Sequence, residues 1–192
     1  PGHHVMHLPS FHAFDRVSIL PGRGTYALYH GKLSVAENSK VARYLMNHVW
    51  NPSMPPLVIA GMDPPAWLTR MAEKHPNVSI IPNPAEDKMV DLIRNAHVNI
   101  LMTFQPTGLK LKLLNALFNG RFCLADHNMV AGTGLGLLCT LASGPGDFRR
   151  EIETLFGLEF DQERIRQREE SMPPQYSNEN NCNRLTGILP LS

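Results

Sequence analysis

The sequence predicts an α/β fold, in which a parallel sheet of about six strands carries helices on both faces. Apolar runs of four or five residues recur along the chain, and segments with helical periodicity separate them. The runs near residues 30 and 60 end directly in glycine. Strands that alternate with helices usually pair in parallel, and continuous apolar runs indicate strands buried on both faces. One layered α/β domain therefore accounts for most of the chain.

Each predicted element follows from its own local pattern. The predicted strands are 26–30, 57–60, 78–81, 98–102, 122–125 and 140–143, and the predicted helices are 35–49, 64–75, 84–95, 111–119, 147–156 and 161–172. The helix at 84–95 begins with Asn83-Pro84-Ala85-Glu86, a pattern typical of a capping box with Asn83 as the N-cap residue, Pro84 at the first helical position and Glu86 at the third. Within the last predicted helix, we expect 164–170 to be a solvated helix face.

We expect three regions: a lead-in or interdomain linker at 1–24, a nucleotide-sugar-binding domain at 25–172, and a polar C-terminal segment at 173–192. Prolines and glycines disfavour a long helix in the first region, whereas 178–187 could form one last helix that returns to another domain. Histidines cluster in the lead-in, but no cysteine or carboxylate stands at ligand spacing from them. A surface linker is therefore favoured over a metal site.

Composition restricts the classes of function. The 192 residues are 43% hydrophobic and 18% charged, which is enough for a globular core. A net charge of +1 gives no electrostatic reason to expect nucleic acid or an anionic membrane as a partner. Three widely spaced cysteines favour a reducing, cytoplasmic setting, and we expect neither a signal peptide nor an apolar run of about 18 residues that could span a bilayer.

The strongest functional signal is the segment 107–112, which follows the fourth predicted strand. Thr107-Gly108 forms a turn before the helix at 111–119, and Lys110 and Lys112 lie beside its first turn. Unpaired N–H groups and the helix dipole favour an anion at such a position. The sequence therefore predicts a diphosphate site here. The alternative is an ordinary half-buried helix whose polar face, which includes Asn115, is solvated.

Single polar residues give weaker signals. Asp126 and His127 follow the fifth predicted strand and could contact a sugar, although turn formation explains them equally well. His97 directly precedes a strand, and we expect it to be structural.

Four segments together resemble the C-terminal, donor-binding domain of GT-B glycosyltransferases, within the family-4-like (family 1/4) group. Residues 108–117 (GLKLKLLNAL) with Gly120 resemble the donor-binding stretch of that group, and 29–34 (YHGKLS) with Glu37-Asn38 resemble its first strand and phosphate loop. Residues 57–61 (LVIAG) and 130–135 (VAGTGL) resemble its second strand and its later small-residue loop. The resemblance covers about 26–156 and implies a Rossmann-like sheet, which is one half of a GT-B fold.

The resemblance implies a retaining, metal-independent hexosyl transfer from a nucleotide-diphosphate sugar, which is the substrate, with no further cofactor. It implies that Lys32 and Lys112 are catalytic, because they stand where basic residues stabilise the leaving diphosphate. The donor-binding positions that it implies are Gly31, Asn38, Asn83, Thr107, Gly108, Leu109, Lys110 and Asn115. The implied partner is an N-terminal acceptor domain that this chain lacks, through which peripheral membrane contact is possible.

Three departures keep other functions open. Asn115 stands where the group usually has glutamate, Asn38 where most members have lysine, and Thr107 where many have a second glutamate. These changes are also expected of a degenerate binding or scaffold domain without catalysis. A nucleotide-sugar epimerase on the same fold is another alternative. A dinucleotide-binding domain would use the glycines at 132–136, but these lie past a late strand, whereas that fingerprint follows the first strand.

Overall fold

The computed structural model describes residues 11–105 and 111–187. Its centre is a six-stranded sheet in the order β3-β2-β1-β4-β5-β6, and each neighbouring pair is parallel. The strands are β1 Ala27–His30, β2 Leu57–Gly61, β3 Val78–Pro82, β4 Val98–Leu101, β5 Phe122–Ala125 and β6 Thr140–Leu141. This sheet confirms the predicted fold class.

Helices connect successive strands. The helices are α1 Ala36–Tyr44, which continues as a π-helical turn Leu45–Val49, then α2 Ala66–Ala72, α3 Glu86–Asn95, α4 Leu111–Asn119, α5 His127–Val130, α6 Pro145–Gly157, α7 Gln162–Ser171 and α8 Asn178–Thr186. Short 3-10 turns occupy Gly136–Leu138 and Pro174–Tyr176. The four-residue helix α5 is absent from the sequence prediction, since a single turn leaves no periodic signal.

The core lies on both sides of the sheet, because β1, β2, β4 and β5 are buried along their whole length. Tyr29 and Ile59 belong to the cluster on one face, which also receives α1 and α6. Leu28 points to the opposite face and packs with Ile93 of α3. Two covered faces explain why the strands appear in the sequence as unbroken apolar runs.

The predicted capping box before α3 is wrong. The residue that precedes α3 is Ala85, which makes no side-chain capping hydrogen bond. Asn83 instead has a left-handed backbone (φ 48°), and its Oδ1 accepts a hydrogen bond of 2.7 Å from the N–H of Asp63. Asparagine tolerates this conformation. The residue is therefore used to close a turn after β3 and to join it to the loop after β2.

Asn119 and Arg168 are buried polar side chains on helices, and Arg168 lies within 164–170, which we expected to be solvated. Asn119 of α4 is 3% exposed, and its Nδ2 donates to the main-chain oxygen of Asn115. Arg168 of α7 is 7% exposed and donates to the carbonyl oxygens of Leu117 and Arg121. Main-chain acceptors therefore account for the burial of both side chains.

The segments that flank the domain pack against it. Ser18 N–H donates to the carbonyl of Phe118, and Gly22 forms a β-bridge with Phe160. The N–H of His12 donates to Oδ1 of Asn178 at the start of α8, and Nδ2 of Asn178 donates to the carbonyl oxygen of His12. Among the described residues, no helix is both long and apolar enough to cross a membrane.

Candidate functional site

The strand order points to one edge of the sheet. Since β1 lies between β2 and β4, the chain leaves β1 and β4 towards opposite sides of the sheet. Ligands of open parallel sheets bind beyond the carboxyl ends of the strands at such a switch point. Here those ends are His30 with Gly31, and Leu101 with the residues that follow it.

Two glycines bring the loops after β1 and β2 into contact. A Cβ on Gly61 would lie 1.7 Å from the carbonyl oxygen of Gly31, and a Cβ on Gly31 would lie 3.1 Å from Cγ of Asn38. The N–H of Leu33 also donates to the carbonyl of Met62 over 2.8 Å. The absence of side chains at these two positions therefore lets the β1 loop lie against α1 and the β2 loop.

Lys112 meets the β1 loop across the switch point. Its Nζ lies 3.5 Å from Oδ1 of Asn38, 3.4 Å from the carbonyl oxygen of Met102 and 5.4 Å from the centre of the Tyr29 ring. Nδ2 of Asn38 donates over 3.0 Å to the main-chain oxygen of Lys32, whose side chain is exposed. Four residues predicted from the sequence, Gly31, Lys32, Asn38 and Lys112, are thus brought together around the ends of β1 and β4.

Carboxylates and a buried threonine form the other wall of this cluster. The hydroxyl of Thr103 donates to Oε1 of Glu37, and the N–H of Thr103 donates to Oδ2 of Asp126 over 3.2 Å. Asp126 also caps α5 by accepting from the N–H of Met129 over 2.9 Å. Burial raises the pKa of the Tyr29 hydroxyl, and these two carboxylates raise it further. The cluster thus contains charges of both signs.

His30, the last residue of β1, is a buried neutral side chain at this edge. It is 7% exposed, and its Nε2 is enclosed without a hydrogen-bond partner among the described residues. Burial lowers the pKa of the imidazole to about 4, and the nearby charge of Lys112 contributes to this shift. The side chain is therefore neutral at pH 7.

The other predicted donor-binding positions lie elsewhere or outside the described residues. Asn83 follows the edge strand β3 and is exposed. Asn115 lies one turn beyond Lys112 on α4, where it lines a cavity of about 380 Å³ with Glu86, Met89 and Arg94 of α3. The side-chain oxygen of Asn115 accepts from Asn119 over 3.0 Å. The remaining predicted positions, Thr107, Gly108, Leu109 and Lys110, lie outside the described residues.

Sequence reasoning missed Tyr29, His30 and Thr103 as residues of this site. Tyr29 and His30 carry a weak signal, because they end a strand that precedes the glycine of a predicted phosphate loop. Nothing in the sequence around Thr103 indicates a role in the site, because that role depends on contacts with Glu37 and Asp126, which are remote in sequence. Among the described residues, no group of three or more histidines, cysteines or carboxylates is placed to hold a metal ion.

Comparison with solved structures finds the same architecture in GT-B glycosyltransferases. TarM matches with a TM-score of 0.62 at 10% identity, over 92% of this chain and 37% of that one. The apo form of the lipopolysaccharide outer core galactosyltransferase WaaB matches with a TM-score of 0.59 at 14% identity, over 97% of this chain and 56% of that one.

No protein-family model and no curated protein sequence matches this chain. At the identities found with solved structures, the likeness is one of fold. The chain spans between about a third and somewhat more than half of the two structures it matches. We conclude that it has a Rossmann-like fold of the kind that forms one half of a GT-B structure.

Proposed function

We propose that this chain is the donor-binding half of a family-4-like glycosyltransferase, and that it holds the diphosphate of a nucleotide-sugar donor beyond β1 and β4. One observation carries the proposal: Lys112 and the β1 phosphate loop meet at the switch point of the sheet, where Lys112 Nζ lies 3.5 Å from Asn38 Oδ1. Two glycines keep side chains away from the same loop. A cation beside an open main-chain loop is suited to bind an anionic diphosphate.

The proposed chemistry follows from the charge that develops during transfer. When the bond between the sugar and the diphosphate breaks, negative charge grows on the leaving diphosphate. Lys112 would stabilise that charge, and the exposed Lys32 can swing towards it from the β1 loop. Glu37 and Asp126 hold Thr103 in place. Retention of configuration and independence of metal ions are part of this proposal and rest on the resemblance.

The nucleoside would extend from the diphosphate towards α3. Asn115 lies one helical turn from Lys112 and faces the cavity of about 380 Å³ between α3 and α4. Its amide can offer a hydrogen bond to a ribose hydroxyl, although the side-chain oxygen is already an acceptor for Asn119.

Titration calorimetry with UDP, GDP and NAD tests the proposal. We expect UDP or GDP to bind, and we expect Lys112→Ala to weaken that binding by roughly ten- to a hundredfold, because a charged hydrogen bond is lost. The matched control is Lys74→Ala, which removes an exposed lysine that follows α2 at the opposite edge of the sheet and should leave affinity unchanged. Binding of NAD alone, or equal affinity in the two variants, would contradict the proposal.

A second candidate is a nucleotide-binding domain that has lost catalysis. The arrangement of Asn115 favours it, since a neutral amide already paired with Asn119 is a weaker ribose acceptor than the usual glutamate. Asn38, which replaces a lysine, is likewise held by Tyr29 and Lys32. This candidate predicts that the full-length protein binds a nucleoside diphosphate but transfers no sugar.

A further inference from the structure

A second cavity, of about 430 Å³, lies at the β6 edge of the sheet. Two cysteines, Cys123 and Cys139, line it together with Arg164 and Arg168. None of these residues belongs to the candidate site beyond β1 and β4. The cavity is therefore separate from that site.

Strand register places the two cysteines side by side. Leu124 of β5 is paired with Thr140 of β6 in a parallel ladder, so the residues one position earlier, Cys123 and Cys139, are neighbours. Cys139 continues the strand geometry, with φ −122° and ψ 149°. Neighbouring parallel strands lie about 4.8 Å apart, which is within the Cα separation of roughly 4.4–6.8 Å that a disulfide spans.

The two side chains also point to the same face. Cys123 belongs to the buried cluster formed by α4 and the second half of the sheet, and Cys139 packs against that cluster. Burial raises the pKa of the Cys139 thiol, and the nearby Cys123 raises it further. Both cysteines are present as thiols rather than as a disulfide.

A buried cation adjoins the inner thiol. Arg168 is 7% exposed, and its guanidinium lies 3.9 Å from Sγ of Cys123. Burial raises the pKa of Cys123, and Arg168 opposes that rise because a cation favours the thiolate. Arg164 is exposed on the cavity wall, over the ring of Phe122. Two guanidinium groups and one carboxylate, that of Glu151, line the cavity, so its net charge is positive and favours an anionic reagent beside the two thiols.

We propose that Cys123 and Cys139 form a reversible disulfide with an anionic small-molecule disulfide, such as oxidised glutathione, as the oxidant. Cys139, which is half-buried and therefore more accessible than the buried Cys123, loses its proton and attacks one sulfur of the oxidant, which releases the first reduced thiol. Sγ of Cys123 then loses its proton and attacks Sγ of Cys139, which releases the second. The protein loses two hydrogens and two electrons, and one molecule of oxidant becomes two thiols.

The bond would tie both ends of the loop between β5 and β6. That loop carries Asp126 and Asn128, which hold the main chain of Thr103. The disulfide can form whether or not the chain binds a nucleotide. Its test therefore stands apart from the titration with nucleoside diphosphates.

The experiment treats the chain carrying Cys182→Ser with oxidised glutathione, since Cys182 is exposed on α8 and would react independently. Intact-mass measurement and peptide mapping without reductant should find a loss of two hydrogens and a bond joining Cys123 to Cys139. The matched variant Cys123→Ala should instead keep a stable glutathione adduct on Cys139, because no second thiol can displace it.

Thermal unfolding tests the proposal without a substitution at the buried Cys123. The oxidised chain should melt several degrees higher than the same chain after reduction, because the crosslink restricts the unfolded state. An adduct on Cys139 that persists while Cys123 remains reduced would overturn the proposal. Unchanged thiol content under conditions that fully modify Cys182 in the parent chain would overturn it as well.

Discussion

Two buried histidines in this fold differ in how their ring nitrogens are satisfied. His97 accepts a hydrogen bond at Nδ1 from the N–H of Gly24 over 3.0 Å, and its Nε2 lies 2.8 Å from the carbonyl oxygen of Leu155. We predicted a structural role for His97 from its position before a strand, and both contacts agree with that role. His30 has no partner for Nε2 among the described residues. A buried nitrogen without a hydrogen-bond partner lowers the stability of the fold. Packing alone therefore does not explain why a histidine occupies position 30.

His30 should make the fold sensitive to acid. Its pKa in the folded chain is about 4, below the ordinary value of 6.5, so the unfolded chain binds more protons between these two pH values. The free energy of unfolding should therefore be highest above pH 6.5, and it should decrease as the pH falls from 6.5 towards 4. The gap between the two values is worth on the order of 3 kcal/mol.

The variant His30→Leu tests this pH dependence. Leucine adds apolar surface to the face that holds Leu28 and cannot be protonated, so urea unfolding between pH 7.5 and 4.5 should show a shallower loss of stability. Burial also lowers the pKa of His97, which remains in the variant and should leave a residual slope. An identical pH profile in the two chains would contradict the assignment to His30.

At the scale of elements, the sequence predicted bodies better than ends. Helix α4 and strand β5 have the predicted limits, because apolar periodicity and burial on both faces set them. The start of α3 was mispredicted, since Asn83 bonds to Asp63 in a loop twenty residues earlier. A local sequence pattern cannot predict a contact between residues that far apart in the chain. Helix α5 contains too few residues for any periodic signal, and strand β6 occupies only Thr140–Leu141 of the predicted 140–143.

The contact between the β1 and β2 loops gives a prediction for Gly61. A Cβ there would lie 1.7 Å from the main-chain oxygen of Gly31, so Gly61→Ala must displace the phosphate loop or the end of β2. We expect a loss of more than about 2 kcal/mol in the free energy of unfolding and weaker nucleotide binding. Urea unfolding and calorimetry measure the two effects.

The matched control is Gly146→Ala in the first turn of α6. A Cβ on Gly146 meets nothing within 4 Å, so alanine should be neutral or should stabilise by up to about 1 kcal/mol. Equal stability of the Gly61→Ala and Gly146→Ala variants would contradict the close approach of the two loops.

At the scale of the whole molecule, strand order decides which residues can meet. The sequence predicted parallel strands, and that alone places all carboxyl ends at one edge. The order β3-β2-β1-β4-β5-β6 then brings the β1 loop against the residues after β4, and it leaves Asn83 at the far strand. Asn38 and Lys112 were both predicted from the resemblance, and this order brings them together. The direction of Asn115 could not be predicted, because it depends on the packing of α4 against α3.

All the described residues of the proposed site belong to one domain, which would therefore contact the donor from one side only. These residues come from β1, α1, the segment after β4, α4 and the start of α5. Transfer also requires a surface that holds the acceptor against the sugar carbon, and the chain spans only 37% of TarM and 56% of WaaB. We therefore expect the isolated chain to bind a nucleoside diphosphate without catalysing transfer.

The measurement is the release of nucleoside diphosphate from a UDP- or GDP-sugar in the presence of excess chain, compared with buffer alone. Binding that is sensitive to Lys112→Ala, together with release at the buffer rate, is the expected result, because charge stabilisation by Lys112 cannot replace the missing nucleophile and its positioning. Release well above the buffer rate that disappears in Lys112→Ala would show that this domain alone cleaves the donor. In that case the acceptor surface would have to lie within the residues of this chain.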